Sequence, residues 1–475
     1  MNANYKKLGK NTLFFALGSF TQKAMAFLLV PFYTYVLSTS DYGISDLIIT
    51  ISSMIWPLFT LLIDDAVLRF SLDKGEKKEQ IISIGFYINL FGFLIMLLFS
   101  PLVLLVDELK GYYLLFVLYY FTYSVNSFFS YALRGLEKTK LFSLTGVFSS
   151  LIAISSNLLF LLAFEWGIRG YLLSYIISFL ITGIIQFFMG GFGQYIVPFT
   201  AIDKEKCREM IRYALPLIPN SISWWISNSS DKLIVSSVCG VAANGIYSVS
   251  YKIPSLITTC SSIFSNAWQI SAVDGFGSEE NRKYFSDIYY KYSTACMFLA
   301  AILIAFNKVI CRVVFSKDFY QAWVNVPVLL YAVTFQIMSG FLGTIYTTAK
   351  QTKMVFVSTV IGAVSNIVLN IAFIPVYGGL GAAVATCISY VITWLIRLID
   401  SRKIMKLSVN WSKEIICNVI LFIQVCIAST DINKEMLISL ILMLLIFIIK
   451  RDFIWDLINI LARITRRIRK NENNN

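Results

Sequence analysis

Long apolar runs are the feature that most limits what this chain can fold into. Stretches of about 18 to 25 mostly apolar residues recur from one end to the other, and each can cross a ~30 Å hydrocarbon layer as a helix. Of the 475 residues, 57% are hydrophobic and only 14% are charged, proportions that soluble domains rarely show. The sequence therefore predicts an all-α polytopic membrane protein.

Hydropathy and turn residues together predict about fourteen transmembrane helices. Lys and Arg residues indicate the orientation, because loops rich in them stay in the cytoplasm. With the N-terminus inside, roughly 31 of the 40 Lys and Arg residues are cytoplasmic and roughly 6 are outside. We therefore expect both termini to be cytoplasmic. The predicted spans cover residues 12–37, 44–63, 81–106, 112–133, 141–164, 168–189, 209–238, 244–272, 288–306, 322–345, 354–375, 379–399, 412–429 and 435–450.

Composition also argues against several functions. The chain has no histidine, so it lacks Ser-His and Cys-His catalysis and the commonest metal ligand. Its eight cysteines are scattered singly, without a Cys-x-x-Cys pair. The net charge of +13 follows from the basic cytoplasmic loops and tail, which suit anionic lipid better than nucleic acid. We expect neither an enzyme nor a bound cofactor or metal.

Two halves of the sequence resemble each other at a spacing of about 200 residues. The segment "STSDYGISDLI" aligns with "GVAANGIYSVS", which pairs Gly43 with Gly245. Further on, "LEKTKLFSLTGV" aligns with "AKQTKMVFVSTV". A parallel repeat of this kind is typical of transporters built from two related bundles. We expect an N-terminal six-helix bundle (1–190), a cytoplasmic connecting loop (191–208), a C-terminal six-helix bundle (209–400), two appended helices (401–450) and a basic cytoplasmic tail (451–475).

Polar residues form stripes along several of the predicted spans. Residues three or four apart share one face of a helix, and an ion at bilayer depth costs several kcal/mol unless water or a partner meets it. The stripes therefore predict a water-filled cavity, although hydrogen bonds between helices would explain the Ser and Thr residues alone. The stripes comprise Asp46, Thr50, Ser53, Thr60 and Asp64 in span 2, Ser221, Trp224, Asn228, Asp231 and Lys232 in span 7, and Tyr251, Lys252, Ser255, Thr259 and Asn266 in span 8.

The two lysines of spans 7 and 8 have related positions. Lys232 and Lys252 each lie ten residues from Ala242, so two antiparallel spans place them at a similar depth. Asp231 points about 100° away from Lys232 around the helix. Our hypothesis is that Asp231 pairs with Lys252 and leaves Lys232 or Lys23 to bind an anion. Kinks are expected at Pro31, Pro57, Pro216, Pro219 and Pro254.

Three segments of the chain have a recognisable pattern: "SSDKLIVSSVCGVAANGIYSVSYKIPSL", "LRFSLDKG" and "LRGLEKTK". They resemble the bacterial flippases that move O-antigen or capsule repeat units, a family of the multidrug/oligosaccharidyl-lipid/polysaccharide exporter superfamily. The resemblance implies two bundles in a V-shaped arrangement that alternate their access. It also implies that Lys23 and Arg69 match cationic cavity positions of a related lipid II flippase. The basic residue expected near Leu29 is absent, which argues against lipid II itself.

The resemblance implies a cargo of oligosaccharide repeat units on a polyprenyl pyrophosphate, moved from the cytoplasmic to the outer leaflet of the bacterial inner membrane. Expected partners are membrane lipids and the polymerase and glycosyltransferases of the same pathway. The predicted cationic cavity comprises Lys23, Lys232, Lys252 and Arg69. Supporting or ion-coupling residues, for a proton or sodium gradient, are Asp231, Asp64, Asn228 and Asn266, and sugar-stacking residues are Trp224, Trp225, Tyr247 and Tyr251.

Two other functions remain open from the sequence alone. A cation-coupled multidrug antiporter of the same superfamily has an acidic cavity, whereas the charges predicted here are mainly basic. A membrane-embedded glycan ligase or polymerase needs catalytic groups with large outer loops, and the outer loops predicted here are short.

Overall fold

The prediction of an all-α polytopic membrane protein is confirmed by a computed structural model. The model describes residues 27–73, 75–272, 279–349, 351, 353–432, 434–456 and 459, and these contain helices and turns without a β-strand. Eight helical stretches of this described part are long and apolar enough to cross a membrane. The predicted number is larger partly because one of the eight, Lys353–Lys403, covers two predicted spans.

The chain divides into two compact units. Unit 1 comprises Met1–Val249 and Phe315–Phe319, and unit 2 comprises Ser250–Val314 and Tyr320–Asn475. The division therefore falls inside predicted span 8, whereas the sequence suggested a connector at 191–208. The two six-helix bundles with boundaries at 190, 209 and 400 stay a prediction.

Unit 1 is built from ten helices of the described chain, and the last of them ends one residue into unit 2. They are α1 (Val30–Val36), α2 (Thr39–Phe59), α3 (Ile63–Ser71), α4 (Lys78–Phe99), α5 (Tyr113–Gly135), α6 (Thr139–Leu158), α7 (Gly167–Gly190), α8 (Lys204–Ala214), α9 (Leu217–Cys239) and α10 (Val241–Ser250). Ser38 caps α2: its hydroxyl accepts a hydrogen bond from the backbone N–H of Asp41, and the Asp41 carboxylate accepts one from the backbone N–H of Ser38.

Predicted span 2, residues 44–63, ends in a break between two helices. Helix α2 contains Pro57 and ends two residues later, and α3 begins at Ile63. Between them, Leu61 and Leu62 have φ angles of 52° and 50°, a left-handed conformation that is strained for a side chain of this size. Helix α4 supports the break from the side, because a Cβ atom on Gly92 would lie 2.1 Å from the Phe59 carbonyl oxygen.

The connector at 191–208 is more ordered than the predicted loop. Its C-terminal part begins α8, which Asp203 caps by accepting hydrogen bonds from the backbone N–H groups of Glu205 and Lys206. Met210 and Ala214 of this helix are buried in an apolar core with residues of α3, α4 and α5. The remaining members of that core are Ile63, Ala66, Val67, Phe70, Ile81, Ile82, Ile84, Phe128, Phe129, Ala132, Leu133 and Phe192.

Unit 2 contains seven helices within the described residues: α11 (Pro254–Ser271), α12 (Glu279–Ala305), α13 (Asn307–Val314), α14 (Val326–Thr348), α15 (Lys353–Asp400), α16 (Trp411–Ala428) and α17 (Glu435–Ile449). Helix α15 covers predicted spans 11 and 12, which meet at the non-helical residue Gly378 with a φ of 57°. Glycine permits this conformation without steric cost. The two halves then pack on each other, since Asn366 donates to the Thr386 hydroxyl at 3.3 Å.

Candidate functional site

The polar faces of α2 and α9 pack against each other inside unit 1. Trp225 donates its indole N–H to the Ser53 hydroxyl at 3.1 Å. Two turns further along α9, Lys232 forms an ion pair with Asp46 of α2. Since Trp225 and Lys232 are seven residues apart, as are Ser53 and Asp46, the helices run antiparallel in a matched register. The predicted stripes therefore face another helix in this part of the molecule.

Asp46 is the centre of a charged cluster on this face. Its Oδ1 atom lies 2.9 Å from the Lys232 Nζ atom, and their side chains are 14% and 19% exposed respectively. Its Oδ2 atom accepts a hydrogen bond from the Ser248 hydroxyl at 2.7 Å. Both carboxylate oxygens thus have donors, one of them charged, which is the arrangement that makes a largely buried carboxylate tolerable. The hypothesis left Lys232 or Lys23 to bind an anion, and in this structure Lys232 pairs with Asp46.

Asp231 has different partners from its neighbour Lys232. The Tyr247 hydroxyl donates to its Oδ2 atom at 2.5 Å, and its Oδ1 atom accepts from the Lys232 backbone N–H at 2.9 Å. The Asp231 and Tyr247 side chains are 2% and 0% exposed. A ring so enclosed offers no face for stacking on a sugar, so Tyr247 is not in a stacking position here. The predicted pairing of Asp231 with Lys252, a residue of unit 2, stays a prediction.

Two glycines bring α2 and α10 into backbone contact beside this cluster. A Cβ atom on Gly43 would lie 1.8 Å from the Val241 carbonyl oxygen, and one on Gly245 would lie 2.1 Å from the Thr39 carbonyl oxygen. The contact is reciprocal, because each glycine packs on the residue four positions before the other. The Asn244 side chain adds a hydrogen bond to the Gly43 carbonyl oxygen at 3.2 Å. The two glycines that the repeat alignment paired therefore pack against each other, a small-residue crossing typical of membrane helices.

An aromatic cavity of about 370 Å³ lies between α2, α5 and α9. Trp225 is on its wall, together with Trp56 and Tyr123; the Trp56 and Tyr123 rings are 6.1 Å apart. A stacking role for Trp225 stays a prediction. Ser229, one turn before Lys232, also lines it, so the cavity adjoins the charged cluster along α9. Aromatic faces with hydroxyl and amide groups suit a neutral hydroxylated ligand. The remaining lining residues are Ser53, Pro57, Asn220 and Ser221.

The other predicted site residues lie in several places. Tyr251 and Lys252 are both half-buried, in the three-residue break between α10 and α11 that precedes Pro254. Arg69 is more than half exposed and forms a 2.6 Å ion pair with Asp73, which raises the pKa of the guanidinium. Asp64 is buried on α3. Lys23 is outside the described residues, as are the side chains of Trp224, Asn228 and Asn266.

Sequence reasoning missed three members of the site. Asp46 stood in the span 2 stripe, but its partner Lys232 was one of two lysines expected to bind an anion. Trp56 and Tyr123 were not among the predicted site residues. The seven-residue spacing shared by Asp46 with Ser53 and by Lys232 with Trp225 was the available signal for a common face.

The charged cluster and the aromatic cavity together form a site with groups suited to ligand binding. It offers one ammonium group, two carboxylates, hydroxyl groups and aromatic rings. Among the described residues, no group of three or more acidic, Cys or His side chains is arranged to hold a metal ion.

Solved structures of a lipid flippase and of multidrug transporters share this fold. The lipid II flippase MurJ, in an inward closed conformation, aligns with a TM-score of 0.69 at 16% identity, covering 94% of this chain and 100% of MurJ. An inward-facing multidrug resistance MATE transporter aligns with a TM-score of 0.62 at 11% identity, covering 82% and 97%. At these identities the likeness shows a common fold.

The family itself follows from the sequence. Residues 8–268 match the model of the polysaccharide biosynthesis protein family, which is more than half of the chain, and the protein belongs to that family. The uncharacterized membrane protein MJ1375 of Methanocaldococcus jannaschii is 25% identical over 447 residues, which cover 84% of this chain and 99% of that protein.

Proposed function

We propose that the protein is a flippase for lipid-linked oligosaccharides, which moves polyprenyl-pyrophosphate-bound repeat units from the cytoplasmic to the outer leaflet by alternating access. Family membership over residues 8–268 supports a role in polysaccharide biosynthesis. The observation that carries the proposal is the joining of a cationic group to an aromatic cavity along one helix face. Lys232 and Trp225 on α9 match the two parts of such a substrate, its phosphates and its sugars.

Electrostatics explains why the lysine matters for this cargo. A pyrophosphate carries at least two negative charges, and in a low-dielectric site it needs fixed cations. Lys232 is held at 2.9 Å by Asp46, so an incoming pyrophosphate competes with that carboxylate for the ammonium group. Lys23 and Lys252 complete the proposed cationic set, and Arg69 is proposed to meet the headgroup at the surface. Export would take place in the cell membrane, with both termini cytoplasmic and with a polymerase and glycosyltransferases as partners.

Transport in proteoliposomes tests this proposal. The probe is a fluorescent polyprenyl-pyrophosphate disaccharide, and flipping is measured as its exposure to a membrane-impermeant quencher. The double variant Lys232→Met/Asp46→Asn removes the cation without leaving an unpaired charge, and we expect it to lose most of the transport. The single variants Lys252→Met and Lys23→Met are expected to lower transport as well.

A matched control is the exposed pair of Lys413 and Asp452, 3.2 Å apart. The variant Lys413→Met/Asp452→Asn also removes one ion pair, and we expect it to transport as the wild type does. Full transport by all the lysine variants would disprove the cationic mechanism. Uptake of a cationic dye, with no flipping of the lipid probe by the wild type, would favour the multidrug antiporter instead.

A further inference from the structure

A buried carboxyl group that the proposed function does not use lies at the start of α3, away from the charged cluster. The Asp64 side chain is fully buried, with 0% exposure. Its Oδ1 atom accepts a hydrogen bond from the Asn89 amide at 2.7 Å. Its Oδ2 atom is buried and has no hydrogen-bond partner in the part of the chain that the structure describes. An ionised carboxylate with a buried, unpaired oxygen carries a large desolvation cost.

We propose that Asp64 is a proton-binding site within unit 1, which binds a proton on Oδ2 and releases it during the transport cycle. A proton converts the unpaired oxygen into an O–H group and removes the buried charge. No electrons are transferred: one O–H bond forms when the proton arrives and breaks when it leaves. The coupling to transport rests on the proposed function, whereas the proton binding does not.

A short hydrogen-bonded chain fixes the other side of the carboxyl group. Asn89 of α4 donates to Asp64, and its own amide oxygen accepts from the Ser124 hydroxyl of α5 at 3.2 Å. The Asn89 amide therefore presents its N–H group, and not its oxygen, to the Oδ1 atom of Asp64. A metal cation needs several oxygen ligands with free lone pairs, so this arrangement favours a proton. A second hydroxyl, that of Tyr120, is also buried without a partner among the described residues.

The backbone at this site is strained as well. Leu61 and Leu62 have left-handed φ angles immediately before α3, a conformation that bulky side chains rarely adopt. A broken membrane helix is tolerated where the surrounding protein or a cavity satisfies its free backbone groups. Strain that persists beside a buried ionisable group is typical of functional positions in membrane transporters.

The charged and titratable groups near Asp64 set its electrostatic surroundings. Asp65, the next residue of α3, and Arg134 at the end of α5 both act on it through space. Among the described residues, Tyr120, Tyr123 and Tyr131 of α5 are the other titratable groups that interact with it. Within the described chain, no Lys or Arg lies within ion-pair distance of Asp64. Asp65 and Arg134 carry opposite charges that offset each other in part, so burial dominates at Asp64.

Infrared difference spectroscopy of the full-length protein in lipid vesicles tests the proton binding without any substrate. Titration from high to low pH is expected to show the C=O band of a protonated, buried carboxyl group. Asp64→Asn is expected to abolish that band, and the adjacent control Asp65→Asn is expected to keep it. An unchanged band in Asp64→Asn would overturn the proposal.

A second variant keeps the test decisive if Asp64→Asn does not fold. Asn89→Ala removes the N–H group that stabilises the charged carboxylate, so the band is expected to persist to higher pH. A band that stays at the wild-type pH would contradict the assignment to Asp64.

The coupling of proton binding to lipid transport is measured separately, with the fluorescent lipid probe and an imposed pH gradient. The wild type and Asp65→Asn are expected to respond to the gradient, and Asp64→Asn is expected to lose that response. Gradient-dependent flipping by Asp64→Asn would overturn the coupling. A wild type that binds the proton but flips no lipid probe would instead disprove the proposed cargo.

Discussion

Two aspartates of one predicted span, Asp46 and Asp64, have opposite surroundings. Asp46 on α2 has a donor for each carboxylate oxygen, Lys232 at 2.9 Å and Ser248 at 2.7 Å. Asp64 on α3 has one donor, Asn89, and an oxygen without a partner in the described chain. The number and charge of the donors therefore distinguish Asp46, an ion-paired carboxylate, from Asp64, which is proposed to bind a proton.

The difference follows from which helices pack at each place. Around Asp46, two glycines let α10 approach α2 closely enough for Ser248 to reach the carboxylate. Around Asp64, α4 and α5 contribute mainly apolar side chains such as Phe128 and Ile84 to the core. Close backbone contact thus brings a polar partner to Asp46, whereas the side chains that pack around Asp64 are mainly apolar.

The largest expected effect comes from breaking the glycine contact. Gly43→Ala places a methyl group 1.8 Å from the Val241 carbonyl oxygen, so α2 and α10 must separate and Asp46 loses Ser248. We expect the free energy of unfolding to fall by about 3 kcal/mol. Thermal unfolding of the detergent-solubilised protein measures this change.

The control for that prediction is Gly340→Ala in α14, where a Cβ atom meets nothing within 4 Å. We expect its unfolding temperature to remain close to that of the wild type. Equal losses of unfolding temperature in both variants would mean that the close crossing of α2 and α10 does not explain the effect of Gly43→Ala.

The second largest effect comes from removing one member of the ion pair. Lys232→Met leaves the largely buried Asp46 carboxylate without its cation, and we expect a loss of about 2 kcal/mol in the free energy of unfolding. Asp46→Asn leaves Lys232 unpaired and is expected to cost a similar amount. The double variant removes both charges, so we expect it to recover most of the loss, which a double-mutant cycle of unfolding measurements would show. Additive losses would contradict a direct pair.

Unlike the variants above, Asp64→Asn is expected to raise the free energy of unfolding. An amide of the same shape removes the cost of a buried, unpaired charge, so at neutral or higher pH we expect a gain of about 1 kcal/mol. The same unfolding measurement on Asp46→Asn gives the comparison, since one Asp→Asn change stabilises and the other destabilises. A loss of stability in both variants would mean that Asp64 is a structural anion like Asp46.

The sequence was sufficient for the fold class, because the length of an apolar run depends on local composition alone. It also located the polar stripes of spans 2 and 7. It could not show that Lys232 pairs with Asp46, 186 residues away in sequence, because the register between two helices depends on how the backbones pack. The break at Leu61 and Leu62 was equally hidden, since only the neighbouring Pro57 signals it and a proline also fits a simple kink.

The smallest expected effect distinguishes the hydroxyl groups of the two sites. Ser248 donates to a carboxylate at 2.7 Å, whereas Ser124 donates to a neutral amide oxygen at 3.2 Å. Because hydrogen bonds to charged acceptors are about twice as strong as those between neutral groups, we expect Ser248→Ala to cost about 1.5 kcal/mol and Ser124→Ala about 0.5 kcal/mol. Unfolding temperatures of the two variants give the order. If Ser124→Ala were the more damaging change, the Asn89 amide would depend on that hydroxyl for its orientation, and the chain leading to Asp64 would be a more cooperative unit than its distances indicate.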